Sequence, residues 1–386
     1  MSEIPEDGNH SAQEPQSSSP QPTAKDKKPP KLTAVQKRTV EPGKDKPVQP
    51  PKEADFQSKQ IDLFHRFVCN GEDERATLSN TLDLWDSVPR YSVSRQAMDK
   101  MRKAGTFPQL LGITFHYRGR ELKAVIQPAW IQDKDNDIKG YYPSANEELI
   151  EDALRKIAAE QDRGYFDKAG YRSGVVFTLY MLREELKKRG HTRSYQQIVL
   201  SLRILARSTI EISATDGKDG EGFTINPYFS GLSAASRGKL SEDPQARWIV
   251  QFHPLVTQAI DVLKYRQFNY AQMMGHCTQL ARWLHKQLSL KFTFASLMTS
   301  FEMRFSTIKR DSALLEGYQQ QRQAIAALDS AFAELKASGV LMVVTKAEVR
   351  GLRAKLEDVV YTLTASRGFI AQTKAANKRQ NVIEET

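Results

Sequence analysis

Twice along this 386-residue chain, stretches with helical periodicity are followed by a strand, a polar tip and a returning strand. In the first instance a strand at 175–177 leads into a helix over residues 179–189 that stops at Gly190. Thr192 or Ser194 can then cap a helix over 194–207. The β-branched run 209–213 passes through the polar, Gly-rich tip 216–220 to a strand over 223–226. In the second instance, segments 248–252 and 255–263 bridge into helices over 269–288, 294–304 and 318–337. Met273, Met274, Cys277, Leu280, Ala281, Leu284 and Leu288 keep a 3.6-residue period through the first of these. Gly339 ends the last helix, and strands over 341–345 and 359–363 follow. Upstream, residues 113–117 and 122–126 flank the turn Arg118-Gly119-Arg120 as a hairpin, and Ser144 with Glu147 opens a helix toward Asp162.

This repeated order predicts an α+β chain of two tandem winged-helix domains preceded by a disordered N-terminal arm. The boundaries expected are an arm over 1–54, a tether over 55–90, domains over 91–245 and 246–365, and a flexible tail over 366–386. Residues 1–54 hold ten of the 17 prolines and no aromatic residue, so they cannot bury enough apolar surface to offset their ordering entropy. Their nine basic and eight acidic residues nearly cancel.

The net charge of +10 therefore originates elsewhere. Residues 163–210 carry +7 and residues 282–322 carry +4. Both windows contain the helix pair that meets a duplex in helix-turn-helix proteins, which points to a polyanionic partner, double-stranded DNA. On the helix over 194–207, Ile198, Leu202, Leu205 and Ala206 form the core side. Gln196, Gln197, Leu200, Arg203 and Arg207 form the other, and Gln and Arg are the side chains that bond adenine and guanine bidentately. Arg193, Ser194, Lys187 and Lys188 flank that face. In the second domain Gln319, Arg322 and Gln323, with Lys309 and Arg310, make the equivalent set.

Enzymatic chemistry has no visible seat. There is no Gly-x4-Gly-Lys-Ser/Thr loop, no His-Glu-x-x-His and no pair of histidines one residue apart to hold a metal beside Tyr265 or Tyr270. His276, Cys277 and His285 share one predicted helix, but a nine-residue step turns the histidines out of register. No catalytic residue, cofactor or metal is expected; a nuclease or relaxase is the reading from another class. Two cysteines, a polar N-terminus and no long apolar run lead to an expectation of cytoplasmic residence with no membrane partner.

Gln60-Ile61-Asp62-Leu63-Phe64 resembles the pentapeptide by which bacterial replication proteins dock on the sliding clamp, with Leu63 and Phe64 filling an apolar pocket and Gln60 at its rim. Leu82-Asp83-Leu84-Trp85 is a weaker match without the Gln. Together with Leu84-Trp85-Asp86, Pro89, the 112–122 segment and the run Glu334-Leu335-Lys336-Ala337-Ser338-Gly339-Val340, the chain from about 60 to 365 resembles the TrfA-type replication initiators of broad-host-range plasmids, among iteron-binding Rep proteins. The arm and the tail do not match. The resemblance implies a protein that binds origin iterons, promotes local melting without ATP hydrolysis, and recruits the host sliding clamp, replicative helicase and host initiator. It also implies exchange between monomers and homodimers. The runner-up is a winged-helix transcriptional regulator or repressor with no replication role.

Overall fold

The computed structural model describes residues 76–384 except 133–135, 160–162, 215–221, 237, 241 and 263. The arm, the peptide at 60–64 and the tip 216–220 lie outside the described residues. The fold mixes helices with antiparallel strands. It begins with β1 (Leu78–Leu82), a short turn of 3-10 helix at Trp85–Ser87, α1 (Arg95–Lys103), β2 (Leu111–Tyr117), β3 (Arg120–Gln127), β4 (Ala129–Gln132), β5 (Ile138–Tyr141) and α2 (Ala145–Ala159). Next come β6 (Gly164–Asp167), β7 (Arg172–Thr178), α3 (Leu179–Lys188), α4 (Tyr195–Arg207), β8 (Thr209–Ala214), β9 (Phe223–Pro227), β10 (Phe229–Ala235), β11 (Arg247–Phe252) and α5 (Pro254–Asp261). The remainder is β12 (Tyr265–Asn269), α6 (Tyr270–Met274), α7 (Gln279–Lys291), β13 (Ser300–Arg304), α8 (Phe305–Ser312), α9 (Gln321–Ala337), β14 (Leu341–Arg350), β15 (Leu356–Ala365) and α10 (Arg367–Glu384). The sheets run β2-β3-β8-β9, β10-β11-β7-β6 and β13-β15-β14, with two-stranded ribbons β1-β12 and β4-β5.

Local chemistry sets many of these boundaries. The β2–β3 hairpin closes on two residues, Arg118 at φ 50° and Gly119 at φ 81°, as a two-residue turn matched to strand twist requires. The end of α9 is a Schellman motif: Gly339 N–H bonds the Lys336 carbonyl at 3.1 Å and Val340 N–H the Leu335 carbonyl at 2.9 Å, with Gly339 at φ 78°.

Buried apolar side chains fall into two large clusters, one from Leu82 to Met274 and the other from Leu280 to Ile370, and a small third one of Ala129, Ile131 and Ile204. Several sequence expectations are corrected here. β11, expected to open the second domain, is an inner strand of the first cluster's sheet, with Trp248 opposite Phe177 and Val250 opposite Val175. The helix expected over 269–288 is two helices, because Asn269 caps α6 and Thr278 caps α7 on either side of Gly275. Residues 300–304, expected to be helical, form β13 and pair with β15; Phe301 and Met303 alternate inward at period two. The expected tether is mostly buried from Ser79 onward, and in the second clamp-like match Leu82 and Trp85 are core, Trp85 only 1% exposed. The expected flexible tail is α10, whose Phe369, Ile370 and Ala376 are buried. Its Asn377 donates to the Thr293 carbonyl at 2.8 Å.

Between the clusters lies a buried ionic network. Arg155 of α2 grips Asp86 with two bonds of 2.9 Å, and Arg90 reaches both Asp86 at 3.2 Å and Glu151 at 3.0 Å. Lys286 of α7 bonds Asp152 at 2.6 Å and Glu148 at 3.2 Å. Burial alone would raise the Asp86 carboxyl, but Arg155, Lys286 and Arg90 hold it far below the usual carboxylate range. Lys286→Ala removes the cation that Asp152 and Glu148 share, leaving Asp152 to Arg155 and Glu148 to Gln279, and we expect it to cost about 3–5 kcal/mol in denaturant unfolding. A loss under 1 kcal/mol would show that the network does not hold the clusters together.

The break between α6 and α7 brings His276 and His285 face to face, Nε2 to Nδ1 at 2.9 Å, correcting the out-of-register reading. Burial lowers His276 to about 4 against the opposing pull of Glu334, and holds His285 well below its ordinary value. These groups bind protons more weakly folded than unfolded. Their stabilisation is full above the unfolded pKa of about 6.5 and fades as pH falls toward 4. At pH 5 the His276 loss alone is about 2 kcal/mol. His276→Asn should flatten the fall in melting temperature between pH 7 and 5.

Candidate nucleic-acid interface

In the first cluster the predicted residues sit on α3 and α4. Thr178 Oγ1 accepts the Met181 amide at 3.2 Å and starts α3, which leaves Lys187 and Lys188 exposed in its last turn, Lys187 3.8 Å from Glu184. A complete capping box starts α4: Ser194 Oγ accepts the Gln197 amide at 3.2 Å, and Gln197 Oε1 accepts the Ser194 amide at 3.0 Å. The Gln197 carboxamide oxygen is thus engaged by the cap. Arg193 is held as well, with Nε and Nη2 on Asn146 Oδ1 at 3.1 and 2.8 Å. Gln196, Arg203 and Arg207 remain exposed.

The outward side of α4 is not open along its length. Ile204 is fully buried against Ala129 and Ile131 of β4, and Leu200, read as outward-facing, packs there with Tyr141. Arg207 Nη1 lies 3.5 Å from the Trp130 carbonyl. The β4–β5 ribbon therefore narrows the accessible face to Gln196, Arg203 and Arg207.

In the second cluster Lys309 and Arg310 are half-buried in the last turn of α8, 3.6 Å from Glu316 and 2.7 Å from Asp311 respectively. Asp311 also accepts the His116 amide at 3.1 Å, which ties α8 to β2. Gln319, Arg322 and Gln323 are exposed around the start of α9, whose first turn has no acid. Arg322 Nε donates to Gln320 Oε1 at 2.7 Å.

Helix α1, unread in the sequence, joins the two sets. On one side its Gln96, with Ser94 and Thr114, faces Lys309, Arg310 and Gln321 across an open groove of about 1020 Å³. On the other, Arg95 and Arg102 border a cleft of about 260 Å³ with Arg193 and Gln197. Arg95 and Arg102 also lie over the Tyr141 ring at 5.0 and 4.9 Å. An α-helix is roughly 10–12 Å across with its side chains, so the two sets flank one element rather than standing on opposite sides of the molecule.

No family model and no curated protein matches the sequence. Among solved structures, the fold is similar to domains 2 and 3 of RctB, with a TM-score of 0.44 and 11% identity over 67% of this chain and 91% of that one. A second structure of those two domains gives 0.43 and 10% identity over 70% and 95%. The Pi initiator protein in complex with iteron DNA gives 0.38 and 12% identity over 57% and 94%.

The signal for α1 was present: Ser94 caps it through the Ala97 amide, and Arg95, Lys100, Arg102 and Lys103 face one acid, Asp99, in nine residues. Lys100 and Lys103 are exposed. Among the described residues no group of three His, Cys, Asp or Glu side chains is arranged to hold a metal ion. No described helix is long and apolar enough to cross a membrane.

Because Ile204 anchors the β4–β5 ribbon on α4, Ile204→Ala should cost about 2–5 kcal/mol and raise amide exchange across residues 129–141. Unchanged exchange there would separate the ribbon from the helix.

Proposed function

We propose that this chain is a replication initiator that binds repeated duplex sites of a plasmid origin through two winged-helix units and opens DNA without hydrolysing a nucleotide. The observation that carries the DNA reading is the run of exposed and half-buried cations and amides from α4 across α1 to α8 and α9. The second cluster supports a winged helix: α7, β13, α8, α9, β14 and β15 follow in that order, and the sheet order β13-β15-β14 sets the last strand in the middle. In the first cluster α2, β7, α3, α4 and the β8–β9 hairpin follow the same order. There, however, β7 pairs with β6 and β11 while β8 pairs with β9 and β3, so the strand before the helix pair and the hairpin lie in separate sheets.

Without an ATPase, strand opening draws on binding free energy. Bending a site costs on the order of 1–6 kcal/mol, which several copies on tandem repeats would share. Docking of Gln60, Leu63 and Phe64 on the clamp, contact with the host helicase and initiator, and monomer–homodimer exchange belong to the same proposal and rest on the sequence resemblance.

Footprinting of the purified chain on the non-coding DNA beside its coding region tests the reading, with protection of several direct repeats expected and random protection overturning it. Within the interface, Arg203→Ala should weaken binding to the repeat by about 1–3 kcal/mol and spare random DNA. Lys188→Ala should weaken both alike and lower the salt slope by about one. Equal losses for Arg203→Ala on both DNAs would remove α4 as the reading helix.

A further inference from the structure

We propose that the tip of the β14–β15 hairpin is a wedge, Leu352 entering a duplex from the minor groove and unstacking one base step while Arg353 and Lys355 hold the flanking phosphates. This inference rests on the DNA-binding reading above and deepens it. Leu352 is 92% exposed, at the end of two ten-residue strands. The tip that presents it is built rather than slack. Gly351 N–H donates to the Lys355 carbonyl at 2.9 Å, and Arg350 Nη1 donates to the Ala354 carbonyl at 3.0 Å. Arg353 and Ala354 both sit in the left-handed region, at φ 61° and 58°. Two consecutive non-glycine residues there cost energy, and strain of this kind persists where the surroundings over-determine it.

The charge of the tip suits a phosphate ligand. Arg350 is paired with Glu348, while Arg353 and Lys355 carry no ion pair among the described residues. A further carboxylate, Glu357, lies beside Gly351 at the root of the tip. Minor-groove proteins use this pairing of a basic edge with an inserted aliphatic residue, the wedge driving the bend and the cations holding the backbone.

Position supplies the second argument. Lys346 Nζ bonds Asp329 of α9 at 2.8 Å, and the hairpin runs back along that helix from there. Glu357, beside Gly351 at the root of the tip, borders one groove with Gln321 at the start of α9, so the root of the tip lies near that helix end. Lys309 and Arg310 border the same groove. A duplex met by the start of α9 therefore meets the tip in an adjoining groove.

The test uses the full chain and a duplex that it selects from a random-sequence pool, with 2-aminopurine placed at successive steps. The parent should raise 2-aminopurine fluorescence at one step next to its footprint. Leu352→Ala should lose most of that rise, keep the melting temperature of the parent and keep the footprint of the helix contacts. Leu352→Phe should retain the rise. Arg353→Ala with Lys355→Ala should reduce the salt slope by about two. A footprint with no fluorescence rise at any step, or a rise that survives Leu352→Ala, overturns the wedge and leaves DNA binding standing. Failure to select any duplex overturns both.

Discussion

Asp86 and Arg155 hold the molecule together from a point that water does not reach. The carboxylate side chain is fully buried, and the guanidinium meets it with both Nη atoms, a fork geometry that matches a carboxylate. Taking such charges out of water costs several kcal/mol each, which only full pairing offsets. Full pairing here requires three separate pieces of chain: the segment carrying Asp86 and Arg90, the α2 carboxylates Glu148, Glu151 and Asp152, and Lys286 from α7. Gln287 adds a bond of 2.9–3.0 Å class, donating to the Asp86 carbonyl at 3.0 Å, and Gln279 bridges the Tyr91 carbonyl and Glu148 at 2.9 Å. Displacing α7 from α2 would strand several charges at once. The network therefore fixes how the second cluster meets the first, and with it the spacing of the two basic surfaces.

That arrangement was hidden in the sequence. Nothing in the sequence of α2 sets Glu148, Glu151, Asp152 and Arg155 apart from a solvated charged face, yet all four are buried in the ionic layer. The order of elements around α3, α4 and the β8–β9 hairpin was readable because caps and glycines punctuate it. The Ser194 box and Gly190 at φ 84° are local signals that survive any tertiary context. The break at Gly275 was missed because the apolar positions on either side of it keep a single helical period by coincidence. The strand at 300–304 was missed because five residues carry too little period to separate two from 3.6. Helix α10 was missed for want of apolar residues; its packing relies on Phe369, Ile370 and on Arg266 bonding Asn377.

At the candidate site the residue types were readable and their availability was not. Gln197 and Arg193 have the chemistry to read bases, but a capping box and Asn146 already engage them. Recruiting Gln197 to a base would open the first turn of α4, at a cost of about 1 kcal/mol for a lost cap. Gln196 and Arg203 incur no such cost. In the proposed interface the exposed edge of α4 is therefore the part free to read bases, while Gln197 and Arg193 hold the helix end in place.

The second cluster also holds both rigid and adjustable contacts. Arg310 is braced by Asp311, and Asp311 is braced in turn by the His116 amide of β2, so α8 cannot tilt without disturbing the first cluster. Arg322 is tied to Gln320 alone, on the exposed lead-in to α9. A ligand that engaged Gln96 of α1 and Lys309 together would bridge both clusters across the groove. Since α2 and α7 are locked by buried charge, such a ligand finds the two surfaces already set, and the adjustment falls on the ligand. For a stiff duplex that adjustment is a bend, and the free energy to impose it comes from contacts whose own positions cost nothing further to fix.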